Sequence, residues 1–593
     1  MHTLRYKMRK ISADVYQKNT TPSDYTLKLT RIPAEVSDTE IKNWFESFST
    51  ESLPIKCEKV IRTYNLEEIR RIELKKEALK EKYKNVKGTT LQAFFQMELL
   101  KLQTEINKKL RNNNYEYTHS VYAVFSDAVV ASVLLRMLKP ADPPCLQRLN
   151  PCHKSLLNMG QHKINIKRAP EPTDVWWKNL GFDNKGKRRS RMVTTFSTSL
   201  TLAIGFGLIL LVYWMQKELR EKFTGHTDVT RILGFIGSLL ICLINIVLAT
   251  IIKRFVKYEK HGTRGGFLTA VAEKQTIALL INTAFISLIV EIILSESYTV
   301  SNGILTNVYK LDLYRKGGLI ENMFFVFLIN AFYVPVLDLL NPMHFYNKYK
   351  QKKALELGDS IVMTQQTANT LFEGPQIEIS NKYALVIKTM ILTSFYAPGM
   401  PLVTLISLVG LIFSYWSEKY LFLRRNALPP TLSDWLNNSM IEYLNWAVVA
   451  FALGNIMFMA TLINTDGELA FSSNDKIIAF VTLGIAAANI LLPMKTLNMS
   501  FFKMNCEKKS VESYQEARQY FHTDYDLENP MTRHKALDTL IRKIHKSRSK
   551  RSLSKIDPEL KLRIENSILS NYLCKTDFFQ GSKETARSER SVR

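Results

Sequence analysis

Between residues 193 and 495 the chain carries eight apolar runs, each near 20 residues long: 193–215, 232–252, 275–295, 319–341, 383–402, 403–423, 441–463 and 477–495. A hydrocarbon slab roughly 30 Å thick takes about 20 helical residues to cross. Helices of that length in a soluble protein keep a polar face. The runs therefore predict a polytopic α-helical membrane protein of about eight transmembrane helices. The fifth and sixth runs are continuous, "YALVIKTMILTSFYAPGMPLVTLISLVGLIFSYW", and too long for one span. Pro398, Gly399 and Pro401 mark a tight turn near the middle, which predicts two helices joined as a hairpin.

The net charge is +26. An even number of spans puts both termini on one side, and the Lys and Arg distribution makes that side the cytosol. The flanks 185–191, 253–274, 342–382, 416–440 and 495–510 hold 23 Lys and Arg, against 8 in the loops 216–231, 296–318, 398–402 and 464–476. The first residues, "MHTLRYKMRK", lack the pattern of a secretory leader. Cysteines 57, 145, 152, 242, 506 and 574 show no paired spacing, and free thiols are expected.

Residues 1–182 read as a cytosolic domain. "DYTLKLTRIP" alternates like a strand. "SDTEIKNWFESF" has Ser37 or Asp38 placed to cap a helix whose face is Ile41, Trp44, Phe45 and Phe48. "CEKVIRTYN" is a second strand, residues 66–112 a pair of charged helices, "SVYAVFSDAVVASVLLRML" a strand and a helix, and "HKINIKRAPEP" a last strand. The order is an α+β, ferredoxin-like pattern similar to an RNA-recognition motif, with a helical insert. Such domains stack bases on aromatic side chains of the central strands. Here Lys28 and Ser120 stand in stacking positions and His119 replaces the usual glycine, so no nucleic-acid partner is expected.

The segment "RAPEPTDVWWKNLGF", residues 168–182, joins this domain to the first apolar run. Its prolines stiffen the connection and disfavour a continuous helix. Together with the insert-bearing domain and the basic flank that follows, it resembles the OSCA family of hyperosmolality-gated, calcium-permeable channels. That family carries an Ala-Pro-x-Pro-x-Asp/Asn-hydrophobic-x-Trp-x-x-Leu linker, matched here by Ala169, Pro170, Pro172, Asp174, Val175, Trp177 and Leu180. The resemblance covers about residues 1–500. It implies a mechanically or osmotically gated cation channel subunit in the plasma membrane, possessing no cofactor, with membrane lipids and permeant cations as partners and a homodimer as the assembly. It also implies that "LFEGPQIEISNKY", 371–383, is a hook preceding a pore-facing helix. Family members usually carry three more transmembrane helices ahead of the cytosolic domain, and this sequence begins where the third would end. Pro170, Pro172 and Asp174 are expected to pass force into the helix at 193–215, with Trp176 and Trp177 anchored at lipid headgroups. The anoctamin superfamily, to which OSCA channels are related, also contains lipid scramblases, and a scramblase or a non-conducting accessory protein are the alternatives.

Polar groups inside spans usually face a bundle interior or a water path. Glu291 is one candidate. In "GLIENMFFVFLINAFYVPVLDLLNP", Asn330, Tyr333, Asp338 and Asn341 recur on one helical face, and Pro335 frees a backbone carbonyl at mid-depth. An acidic, carbonyl-bearing face suits a cation path. Asn245, Asn282, Ser394, Tyr396 and Asn455 are weaker candidates. Enzymatic chemistry has no support: "GTRGG" at 262–266 lacks the Lys-Ser/Thr of a phosphate loop, and no His/Cys spacing suits a metal. The tail, 501–593, is basic from Arg533 to Lys555 and suited to an anionic leaflet.

Overall fold

The computed structural model describes, with short gaps, residues 19–138, 158–222, 227–285, 319–357, 371–427, 435–461, 473–491 and 512–536, and a few residues before these. Glu291, the run at 286–295 apart from Ile289, and most of the basic tail lie outside the described residues.

The front domain begins with β1 (Thr26–Thr30), α1 (Asp38–Glu46) and β2 (Cys57–Tyr64). Ser37 caps α1: its hydroxyl accepts from Glu40 N at 3.2 Å, and Glu40 reaches back to Ser37 N. The insert follows as α2 (Glu67–Lys84) and α3 (Thr89–Arg111), then β3 (Tyr117–Phe125), α4 (Ala128–Leu138) and β4 (Asn165–Arg168). The sheet order is β2-β3-β1-β4, all antiparallel. Both β-α-β crossovers thus bracket a central strand, the ferredoxin-like arrangement. Leu27, Leu29, Val121, Ala123 and Phe125 face α1 and α4, where Phe45, Ile41, Val130 and Leu134 complete a core closed to solvent. His119 adopts φ 54°, a left-handed conformation that explains why a glycine is the easier residue there.

Beyond the linker come α5 (Asn184–Lys222), α6 (Thr227–Val256), α7 (Arg264–Leu280, continued by a π turn, Ile281–Phe285), α8 (Leu319–Leu339), α9 (Pro342–Leu357), α10 (Ile379–Tyr396), α11 (Leu402–Arg424), α12 (Trp435–Tyr443), α13 (Trp446–Thr461) and α14 (Ser473–Leu491). The turn at 397–401 separates α10 from α11, so the long run is a hairpin. Five helical stretches among the described residues are long and apolar enough to cross a membrane: Lys185–Gln216, Ile232–Glu259, Leu319–Glu356, Leu402–Arg424 and Trp435–Phe458. On α5, Val193, Phe196, Leu200, Ile204 and Leu208 recur at three to four residues and stay exposed. Such an apolar stripe is suited to lipid and unsuited to water. The chain is an integral membrane protein joined to a small α+β domain.

Lipid gives helices no hydrophobic reason to associate, so close packing holds them. α8 packs on α6 and α11, and α10 on α7 and α13. Pro335 has no N–H to give the carbonyl of Ala331, and α11 passes that turn at Gly410. A Cβ on Gly410 would lie 2.6 Å from Ala331 Cβ. Between α7, α8, α10, α12 and α13 lies the largest buried apolar cluster, including Met323, Phe327, Leu392, Tyr396 and Phe458.

Candidate functional site

Two features of the fold meet at the end of the bundle nearest the front domain. One is the linker, and the other is a cavity between α6, α7, α8 and α10.

The linker is two short 3-10 turns, Pro172–Asp174 and Trp177–Asn179, rather than a helix. Between them the chain pairs with the approach to α7: Val175 bridges Thr263, Trp176 N donates to Gly262 O at 2.9 Å, and Asn179 Nδ2 donates to His261 O at 2.7 Å. Asp174 is fully buried, and its Oδ1 accepts from Gly265 N in the first turn of α7. A carboxylate there satisfies an orphan helix donor and complements the helix dipole. Pro170 is half-buried and Pro172 buried. The linker thus grips the start of α7, as well as running into α5.

Trp177 corrects the expectation of a headgroup anchor. It is 6% exposed, and its ring lies 5.4 Å from that of Tyr122 on β3. Trp176 is half-buried, with its ring 5.3 Å from Phe267 of α7. The pair splits between domain and bundle: one indole enters the sheet's face, its neighbour the membrane helix.

That same sheet face is covered by part of the tail, 501–593. Residues 513–533 fold back over it: Tyr525, fully buried, stacks 5.1 Å from Tyr122, and its hydroxyl donates to Pro170 O at 2.6 Å. Tyr514 N donates to Ser126 O at 2.8 Å, and Lys59 pairs with Asp526 at 2.5 Å. Lys28 lies over the Tyr122 ring at 5.5 Å. Burial, with Lys187 and Lys167 nearby, lowers its ammonium to about 8. The surface on which an RNA-recognition motif stacks bases is occupied by Trp177 and Tyr525.

Beneath the linker, Glu259 ties three elements together. Its Oε1 accepts from Thr194 of α5 at 2.6 Å and from Lys274 of α7, and its Oε2 lies 3.2 Å from His261 Nε2.

The cavity measures about 370 Å³ and is lined by Cys242, Asn245, Thr250, Gln275, Asn330 and Lys388 among others. Lys253, Arg254, Lys257 and Glu378 stand at its domain-proximal end. Lys388, 2% exposed, donates to Asn330 Oδ1 at 3.0 Å. Asn245 Oδ1 accepts from Asn282 Nδ2 at 2.5 Å, and its Nδ2 donates to Thr283 Oγ1 at 3.3 Å. Asn330 Nδ2, Gln275 Oε1 and Asn282 Oδ1 find no partner among the described residues. Buried amides that lack protein partners are met by water, and a cavity of this size holds on the order of ten waters.

Of the residues expected on the α8 face, Asn330 lines the cavity and Tyr333, Asp338 and Asn341 do not. Asp338 is paired with Lys382, which also holds Glu418 of α11. Asn341 starts α9, its Oδ1 accepting from Met343 N at 3.0 Å. The expected open acidic face is therefore corrected to a set of ties between α8, α9, α10 and α11. Tyr396 is fully buried between Phe327, Phe395 and Phe458, in the apolar cluster that lies beyond Asn330 and Lys388. The hook before α10 is pinned to the end of α11: Ala427 N donates to Pro375 O at 3.0 Å, and Gly374, at φ 83°, has no room for a Cβ beside Arg425 O.

No protein-family model matches the chain, and no curated protein matches it.

Proposed function

We propose that the protein is a force-gated ion channel subunit whose conduction path runs through the cavity between α6, α7, α8 and α10. The observation that carries this reading is the abrupt change along α8 and α10. On the domain-proximal side of Asn330 and Lys388 the helices line a polar cavity; on the far side Met323, Phe327, Leu392 and Tyr396 close it. A hydrophobic constriction above a hydrated vestibule blocks ions by dewetting and conducts once widened. α7, one wall of that vestibule, begins at the linker. A shift of the front domain, or thinning of the bilayer, acts on α7 through Asp174 and Trp176.

The reading takes eight spans, both termini and the front domain in the cytosol, and the plasma membrane as the site, from the apolar runs, the Lys and Arg distribution and the OSCA resemblance. The homodimer rests on the resemblance alone, and the calcium permeability that the resemblance implies is not carried into this reading. The test is direct: purified full-length protein in liposomes, patched under suction. Currents that rise with suction and are absent from protein-free liposomes support the reading; silence with protein shown present overturns it.

One observation favours the scramblase alternative. Ile246 and Thr250 line the cavity and are also exposed on the outer face of α6, so the cavity has a lateral side. A dye-labelled lipid assay in the same liposomes separates the two readings.

A further inference from the structure

The proposed path carries the opposite charge from a calcium pore. Lys253, Arg254, Lys257 and Lys388 line the cavity, against Glu378 alone among the acids. Lys253 and Glu378 pair at 2.5 Å. Among the described residues no carboxylate lies within ion-pair distance of Arg254, Lys257 or Lys388. The acids nearby are committed elsewhere: Asp338 and Glu418 to Lys382, and Glu259 to Lys274 and His261.

We propose that the conduit passes small inorganic anions and that Lys388 is the residue that selects them. The inference rests on the reading of the cavity as the permeation path. Basic groups at a mouth with low-dielectric walls raise the local concentration of anions and repel cations. Lys388 then stands at the inner limit of the cavity, where the path narrows. Its Nζ donates to Asn330 Oδ1, and Asn330 Nδ2, without a partner among the described residues, sits on the same amide. Once tension hydrates the path, a Lys388 ammonium beside an amide N–H replaces part of a halide's hydration shell with charge-assisted donors. One such pair binds weakly enough for the ion to leave, which conduction requires. A divalent cation arriving at the same point has passed the basic groups at the mouth and meets a lysine and no carboxylate. Gln275 Oε1, on the cavity wall and without a partner among the described residues, is an acceptor free to bind water that accompanies the ion.

The experiment measures reversal potentials from the full chain in neutral-lipid liposomes under suction, in a potassium chloride gradient, with chloride then replaced by gluconate. In the wild type the reversal potential follows chloride, and gluconate removes most of the current. Lys388→Gln lowers the chloride-to-potassium permeability ratio on the order of tenfold, and Lys388→Arg retains it. If Lys388→Gln does not yield a monodisperse protein, the wild-type reversal potential and the gluconate exchange decide. Suction-activated currents that follow potassium, or a ratio unchanged in a well-folded Lys388→Gln, overturn the anion assignment and leave the channel reading standing. Wild-type liposomes silent under suction overturn both.

Discussion

The carboxylate of Asp174, midway along the linker, accepts a hydrogen bond from Gly265 N at 2.5 Å and so closes the first turn of α7. Thr263 caps the same turn, its Oγ1 accepting from Gly266 N at 3.1 Å. The front domain is therefore joined to the bundle twice, by chain connection into α5 and by this cap on α7. Asp174→Ala removes an N-terminal acceptor, a loss of about 1–2 kcal/mol. Thermal unfolding of the purified protein should move down accordingly. If the cap transmits force, the suction for half-activation also shifts; a lowered unfolding temperature with unchanged suction dependence assigns Asp174 to stability alone.

The tail is part of the front domain's structure. Tyr525 fills the space between Tyr122, Trp177 and Pro170 O, so Tyr525→Ala opens a cavity at a fully buried position. Large aromatic truncations of this kind cost about 3–5 kcal/mol. Hydrogen exchange should show β3 and the linker losing protection together, with the far end of α8 unaffected. Unchanged exchange at residues 170–180 would falsify the role of the tail as a cover for the linker.

Asp338 is expected to matter little for ion selectivity. It sits outside the cavity, and Lys382, which it pairs with, retains Glu418 when Asp338 is replaced. Asp338→Asn should leave the reversal potential in a salt gradient unchanged. A shift of the size expected for Lys388→Gln would place the path along the outer side of α8 instead.

Lys28 supplies a pH test of the sheet's covered face. Its folded value of about 8 lies below the 10.5 of an unhindered lysine. Between those values the unfolded chain holds a proton that the folded protein has released, so this group adds stability as pH rises from 8. Tyr25, pushed by burial up to about 12, limits the window to pH 10, above which unfolded tyrosines ionise first. Relative to Lys28→Met, wild-type protein should gain in unfolding temperature from pH 8 to pH 10. A parallel pH dependence for the two would place Lys28 in water.

The parts of this protein with strong local signals were legible in the sequence. The Ser37–Glu40 capping box, the alternation of β1 and the Pro398–Pro401 turn each depend on neighbouring residues, and each element forms where those residues place it. Of the eight long apolar runs, five fall on helical stretches of membrane-spanning length among the described residues, while α7 extends upstream of its run and the break at Tyr443–Trp446 divides another. The contacts that build the site are long-range and left little trace. Tyr514 and Tyr525 sit in a polar stretch without periodicity, and nothing local announces a partner some 400 residues earlier at Tyr122. The acidic face expected on α8 failed because Lys382 is placed on another helix. Lys388 had one available signal, a lysine inside an apolar run. A charge in that position is costly unless it faces a polar interior.

The central claim is that the cavity between α6, α7, α8 and α10 is the path that tension opens. Cys242 is a native probe of it: buried, free, and on the cavity wall, with Sγ 3.6 Å from Asn330 Oδ1. The measurement is the rate at which a small hydrophilic thiol reagent, applied from the side of the front domain, modifies Cys242 in suction-stimulated and resting patches. The account predicts that modification is faster under suction, that it reduces the current, and that Cys242→Ser abolishes both effects. Suction-activated currents that persist unchanged while Cys242 is modified, or a Cys242 that remains unreactive in conducting patches, would contradict it.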